Sequence, residues 1–210
     1  MARVTADRVE KTKRVLLEAA RQVLTDEGFA GLSTRRVAEV ANTQMSQIRY
    51  HFGSKEGMIL ALFEYMNAGL IKRQRQTFFN PSPRISEKWF LACDFLDEDI
   101  QSGYVRVFQE LIAAGWSNPK IGDAVREALA QWHELLTALA QEAVEEHGDI
   151  GPFSAEAMGS LIACAFVGAE ALILLGYEEQ IHPVRKALRQ VGEIIAHFEH
   201  SQKEGHSHAR

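Results

Sequence analysis

The 210-residue chain reads as an all-α protein of about nine helices, a small three-helix unit followed by a larger helical bundle. Apolar residues recur at helical spacing almost throughout. No period-2 alternation of useful length appears, so no strand is expected. Glycine and proline gather at a few breaks that separate long periodic segments.

The first helix is expected over 7–27, with Val9, Val15/Leu16, Ala19/Ala20 and Val23/Leu24 on one face. Gly28 ends it, as glycine does where a left-handed residue must follow a helix. Phe29 and Leu32 then plug into a small core. Ser33 or Thr34 caps a second helix that stops near Ala41. A short third helix spans 44–51, and Ser54 caps a long fourth to about Phe79. Two prolines in Asn80-Pro-Ser-Pro-Arg84 make the clearest break in the chain. Five more helices follow at about 85–101, 104–114, 119–146, 154–175 and 182–200. The domains are therefore expected as 1–55, joined through helix 54–79 to 56–200, with 201–210 a disordered tail.

Composition narrows the class. Hydrophobic residues make up 46% and charged residues 24%, enough for a sizeable core. The longest apolar run, Leu161 to Leu175, is interrupted by Gly168 and Glu170, so no uninterrupted membrane span is expected. The N-terminus lacks the apolar centre of a secretory signal. Cys93 and Cys164 stand alone in apolar surroundings, with no metal-ligand spacing, which fits a reducing cytoplasm. The net charge of −5 conceals an asymmetry: residues 1–80 carry 13 Lys+Arg against 8 Asp+Glu, residues 81–210 carry 10 against 20. Only the first third is suited to meet a polyanion.

Within that third, residues 33–55 have the layout of a helix-turn-helix. Val37, Ala38 and Ala41 are small or apolar, which lets two short helices approach closely. Asn42 stands where the turn needs a residue tolerant of positive φ. Ile48 and Phe52, four apart, face inward from the second helix of the pair. Gln44, Met45, Ser46, Gln47, Arg49, Tyr50 and His51 are left outward, and amides, Arg and Tyr are side chains that read base edges or hold phosphates. The basic lead-in of Arg3, Arg8, Lys11, Lys13 and Arg14 suits either adjacent phosphates or plain solvent.

The segments Val37-Ala38-Glu-Val-Ala41-Asn42-Thr43-Gln44, Ile48-Arg49-Tyr50-His51-Phe52 and Ser54-Lys55-Glu56-Gly57 resemble the TetR family of repressors. Asn42 stands for the usual turn glycine, Thr43-Gln44 for the usual Val-Ser, and Arg49 for the common phosphate-binding Tyr. The resemblance implies that Thr34 binds a backbone phosphate and Arg35 a phosphate or base edge. It places Met45, Ser46, Gln47 and Arg49 at bases, and Tyr50, His51 and Lys55 on the backbone, with packing against the fourth helix an equal alternative for His51. It also implies a homodimer on an operator of two-fold symmetry, released by a small hydrophobic or amphipathic effector.

Residues 85–200 show no catalytic spacing, no phosphate loop and no metal cluster. No cofactor is expected, and only loose acids and histidines such as Glu170 and His133 speak for an enzyme. Phe63, Met66, Trp89, Phe90, Cys93, Phe108, Trp132 and Phe166 are the effector-site candidates, each of which taken alone suits a core better than a ligand contact. Leu161, Ala165, Gly168 and Leu172 form one stripe of small and apolar residues, and Leu188, Val191, Ile195 and Phe198 a second. Both suit a helical subunit interface. Glu170, in the most apolar helix, is assigned to that interface first, with a ligand contact or solvent as alternatives, and Asp94 is a second acid needing a partner. A DNA-bound protein that recruits a protein partner without an effector is the competing reading.

Overall fold

The computed structural model describes residues 2–148 and 151–207, and nine helices lie among them. They are α1 (Ala2–Gly31), α2 (Thr34–Val40), α3 (Met45–Phe52), α4 (Lys55–Phe78), α5 (Ile85–Gln101), α6 (Tyr104–Gly115), α7 (Pro119–His147), α8 (Ala155–Leu174) and α9 (Val184–Ser207). No strand occurs among the described residues. The backbone at Gly28 turns to φ 71°, so regular helix in α1 ends there and a short helical turn carries on to Gly31. Helix α1 also begins five residues earlier than its apolar spacing indicated, since nothing from Ala2 to Ala6 breaks a helix. Helix α9 runs on through 201–207, part of the tail expected to be disordered, because no proline follows His200 to stop it. Residues 208–210 lie outside the described residues.

The chain divides into two compact units. The first comprises 1–69 and 101–125, so it takes in the start of α4, α6 and the first turns of α7 as well as α1–α3. Leu16, Ala20, Val23, Leu24, Leu32, Val37, Ile48, Met58 and Leu62 fill its core. Val15 points outward, and Leu16 takes the buried place on that turn of α1. The rings of Phe63, Tyr104 and Phe108 lie nearly parallel, with centroids 5.8–5.9 Å apart. The buried Tyr104 hydroxyl donates to Asn67 Oδ1 at 2.9 Å, so neither polar group is stranded in this core.

The second unit comprises 70–100 and 126–210. Cys93, Leu96, Phe166, Ala169 and Leu188 are its buried centre, with Trp89 and Trp132 packed against them. Trp89 and Trp132 both meet Phe166 edge-on, and the Trp89 indole N–H donates to Leu188 O at 2.7 Å. A Cβ on Gly192 would lie 2.8 Å from the Phe90 ring, which is why α9 carries glycine where it crosses α5. Polar ties hold the helix ends. Buried Glu199 on α9 accepts from the Ser86 backbone N–H and hydroxyl at the start of α5. Arg73 pairs with both oxygens of Asp99 at 2.7 Å and stacks 4.3 Å from the Phe95 ring centre. Burial pushes the Asp99 carboxyl up, and Arg73 partly offsets that rise. Helix α8 is, by length and composition, apolar enough to cross a bilayer, yet only 22% of its apolar window is buried within one chain.

Candidate nucleic-acid interface

The candidate interface is built by a short run of local contacts in the first unit. Ser33 caps α2, its hydroxyl accepting from the Arg36 N–H at 3.2 Å. The turn that follows closes through Thr43 N–H to Ala38 O at 2.9 Å and Asn42 N–H to Glu39 O at 3.1 Å. Asn42 has φ 49°, the left-handed conformation its position predicted. Gln44 precedes α3 without a side-chain cap bond, as the replacement of serine there implies. At the other end Gly53 (φ 75°) caps α3 by donating to Arg49 O, and Ser54 accepts from Gly57 N–H at 3.0 Å to open α4.

This frame fixes which face of α3 looks outward. Ile48 is fully buried and Phe52 half-buried, whereas Gln44, Met45, Ser46, Gln47, Arg49 and Tyr50 are exposed. Thr34 is half-buried at the start of α2, and Lys55 is exposed at the start of α4. His51 is half-buried, its ring edge-on to Tyr50 at 5.0 Å and tilted against Phe52 at 6.2 Å, so part of it serves packing.

The basic residues are not equivalent. Arg35 is exposed but donates to Glu39 at 3.0 Å. Arg36 bridges Glu27 at 2.6 Å and Glu39 at 3.4 Å, tying α2 to the end of α1. Those bonds, Glu27 first, push the Arg36 guanidinium up, while Arg35 above all holds the Glu39 carboxyl down. Among the described residues Arg49 and Lys55 have no ion-pair partner, so their charge is available to an incoming anion. On α1, Lys11, Lys13 and Arg14 border an open groove of about 670 Å³ that also carries Asp7, Glu10 and Glu64. The lead-in is therefore a mixed-charge surface, and the side chain of Arg3 lies outside the described residues. Sequence reasoning missed Gly57: a Cβ there would lie 2.1 Å from Phe52 O, so only glycine lets α4 start against the end of α3. Its signal was a glycine in the first turn of a helix that has no other need for one.

The other predicted site residues fall in both units. Phe63, Met66 and Phe108 belong to the first, where Phe63 and Phe108 are core. Trp89, Phe90, Cys93, Trp132 and Phe166 belong to the second, and Trp89, Cys93, Trp132 and Phe166 meet in its apolar centre. Burial pushes the Cys93 thiol up to about 11. Of the α8 stripe, Leu161, Ala165 and Gly168 are exposed and Leu172 half-buried. On α9, Val191 and Phe198 are exposed and Ile195 is half-buried, but Leu188 is buried in its own core, because its turn faces α5. Ile194, 57% exposed, and Leu175, 79% exposed, extend the apolar surface beyond the predicted stripes. Glu170 is buried and Asp94 pairs with Arg189.

Residues 16–62 match the family model described as bacterial regulatory proteins, tetR family. The chain is 34% identical over 62 residues to the transcriptional repressor AcnR of Corynebacterium efficiens, covering 30% of this chain and 33% of that one. It is 32% identical over 65 residues to the repressor NicS of Pseudomonas putida, covering 31% of each. The matches thus span about a third of these relatives' length. In fold, it resembles a transcriptional regulator from Saccharomonospora viridis solved in complex with choline, with a TM-score of 0.74 at 18% identity over 88% of this chain and 96% of that one.

Proposed function

We propose, from the premise that this chain belongs to the tetR family of bacterial regulatory proteins, that it is a homodimeric repressor of transcription released from its operator by a small molecule. The family and the relatives compared are transcriptional regulators and not enzymes. One observation carries the DNA-binding part: α3 buries Ile48 and turns Gln44, Ser46, Gln47 and Arg49 outward between a fixed turn and a fixed cap. A helix presented this way fits the major groove. In this reading Gln47 and Arg49 reach base edges with Met45 and Ser46 beside them, and Thr34, Tyr50, His51 and Lys55 hold phosphates. Arg35 joins them on releasing Glu39.

The apolar faces of α8 and α9 support a two-fold dimer, since a water-exposed apolar surface of this extent marks an interaction site. Two such heads would address half-sites roughly 34–36 Å apart. The effector would be small and hydrophobic or amphipathic, held by the aromatic centre around Trp89, Trp132 and Phe166. The choline bound to the neighbour from Saccharomonospora viridis supports a small ligand in this fold. An effector acts by preferring the state whose heads are wrongly spaced.

A mobility-shift titration on DNA flanking the protein's own gene tests the reading. It predicts sequence-selective, salt-sensitive retardation by a dimer; equal binding to scrambled DNA refutes it. Adding small-molecule candidates to the retarded complex tests the release step, and a compound that binds the protein should free the DNA.

A further inference from the structure

We propose that Asn118, in the turn between α6 and α7, is a positioning residue for DNA reading: it ties the start of α7 to Glu56 in the first turn of α4, and so sets how Lys55 and the end of α3 are presented. The functional consequence rests on the DNA-binding reading above, although the contact does not.

All the groups involved lie in the first unit. Asn118 uses both ends of its side-chain amide. The oxygen accepts from the backbone N–H of Lys120 at 3.1 Å and of Ile121 at 3.4 Å, which caps α7 ahead of Pro119. The nitrogen donates to Glu56 Oε2 at 3.1 Å. Only the oxygen can cap and only the nitrogen can donate to a carboxylate, so the side chain cannot turn over without losing both sets of bonds.

The turn that carries it is itself fixed. Asn118 N–H donates to Ala114 O at 3.1 Å, and a Cβ on Gly115 would lie 3.0 Å from Gly122 Cα, so the two helix ends meet at paired glycines. On the other side, Glu56 sits between Lys55 and Gly57, the residue pressed against Phe52 O at the end of α3. Glu56 also suits the positive end of α4. A chain of contacts therefore runs from the α7 cap through Glu56 to the last turn of the DNA-reading helix.

The experiment uses the full chain with Asn118→Ser, Glu56→Ala and the two combined. Serine still caps α7 but is too short to reach Glu56. Asn118→Asp, which caps α7 and repels Glu56, is a further variant that keeps the fold. Amide hydrogen exchange over 52–60 in the free protein, and affinity for the selected operator and for scrambled DNA, are measured together. Each single variant is expected to speed exchange over 52–60, and each Asn118 variant to weaken operator binding about two- to fivefold, the scale of one exposed polar contact. Scrambled DNA should lose less, and the double variant should be no worse than the worse single. Unchanged exchange in Asn118→Ser and Asn118→Asp overturns the proposal, as do effects of the singles that multiply in the double. Faster exchange with unaltered operator affinity overturns the positioning role. If the wild type shows no selective DNA binding, the functional reading fails instead, and exchange alone still decides whether the tie orders α4.

Discussion

The outward face of α3 and the outward faces of α8 and α9 are both exposed in one chain, yet their chemistry is opposite. The first is Gln44, Ser46, Gln47, Arg49 and Tyr50, with Met45 as its one aliphatic member, around one buried isoleucine, Ile48. The second is Leu161 (53% exposed), Ile194 and Phe198 (65% exposed), with Ala165 and Gly168 between them. Water accepts the first surface without cost, whereas the second gains on the order of 25 cal/mol for every Å² it removes from water. Exposure by itself does not mark a site. In the proposed function the polar face meets a polar, anionic partner that it reads by hydrogen bonds, and the apolar face another apolar face.

Breaking the apolar face should have the largest effect. Ile194→Glu with Phe198→Glu places four charges in the proposed symmetric interface and is expected to give monomers by sedimentation. Operator affinity should fall at least about a hundredfold, because each half-site then binds without its neighbour. The helical circular-dichroism signal should survive, since both side chains are exposed in the single chain.

Glycine distinguishes the two surfaces next. Gly57→Ala drives a methyl to 2.1 Å from Phe52 O and should cost about 1–3 kcal/mol in thermal or urea unfolding, with loss of DNA binding. Gly168→Ala meets nothing within 4 Å in the chain and should stabilise α8 by roughly 0.5–1 kcal/mol. A destabilised Gly168→Ala dimer that dissociates more readily would place Gly168 at the closest approach of two subunits. Asn42→Gly relieves a left-handed non-glycine residue and should raise stability by under about 1 kcal/mol, without altering the apolar face.

The smallest effect expected is on pH dependence. The Tyr65 hydroxyl donates to Glu18 at 2.5 Å, which holds the Glu18 carboxyl below its ordinary 4.5 and pushes the Tyr65 phenol above its ordinary 10.0. The depressed carboxyl contributes stability that is full above 4.5 and is lost as pH falls through its folded value. The raised phenol contributes stability that is full below 10.0 and is lost as pH rises through its folded value. Melting temperatures of the wild type and Tyr65→Phe should therefore differ most at neutral pH and converge toward both extremes. A gap that stays constant from pH 3 to 11 would assign the bond no ionic part.

What could be read from the sequence divides along physical lines. The helix bounds between α2 and α8, the positive φ at Asn42 and the weak start of α3 at Gln44 follow from neighbours within a few residues, where spacing and turn chemistry decide. The outward face of α3 was legible for the same reason, since Ile48 and Phe52 define its inner side. Leu188 was misplaced because a 3.6-residue stripe shows that a face is apolar, not what covers it. The aromatic candidates divide between two units because Phe63 and Phe108 find each other across distant helices, which periodicity cannot register. Arg36 is the tie between α2 and α1, and only its acceptor Glu27, nine residues earlier, reveals that role. Nothing local links Asn118 to Glu56, which stand 62 residues apart.

Whether the outward face of α3 reads bases while its flanks grip phosphate is decided by comparing Arg49→Ala with Lys55→Ala on the selected operator and on scrambled DNA. Arg49→Ala should cost about 1–3 kcal/mol on the operator and little on scrambled DNA. Lys55→Ala should weaken both alike and lower the salt dependence by about one counterion. Equal losses on both DNAs for Arg49→Ala would contradict the account and move Arg49 to the backbone.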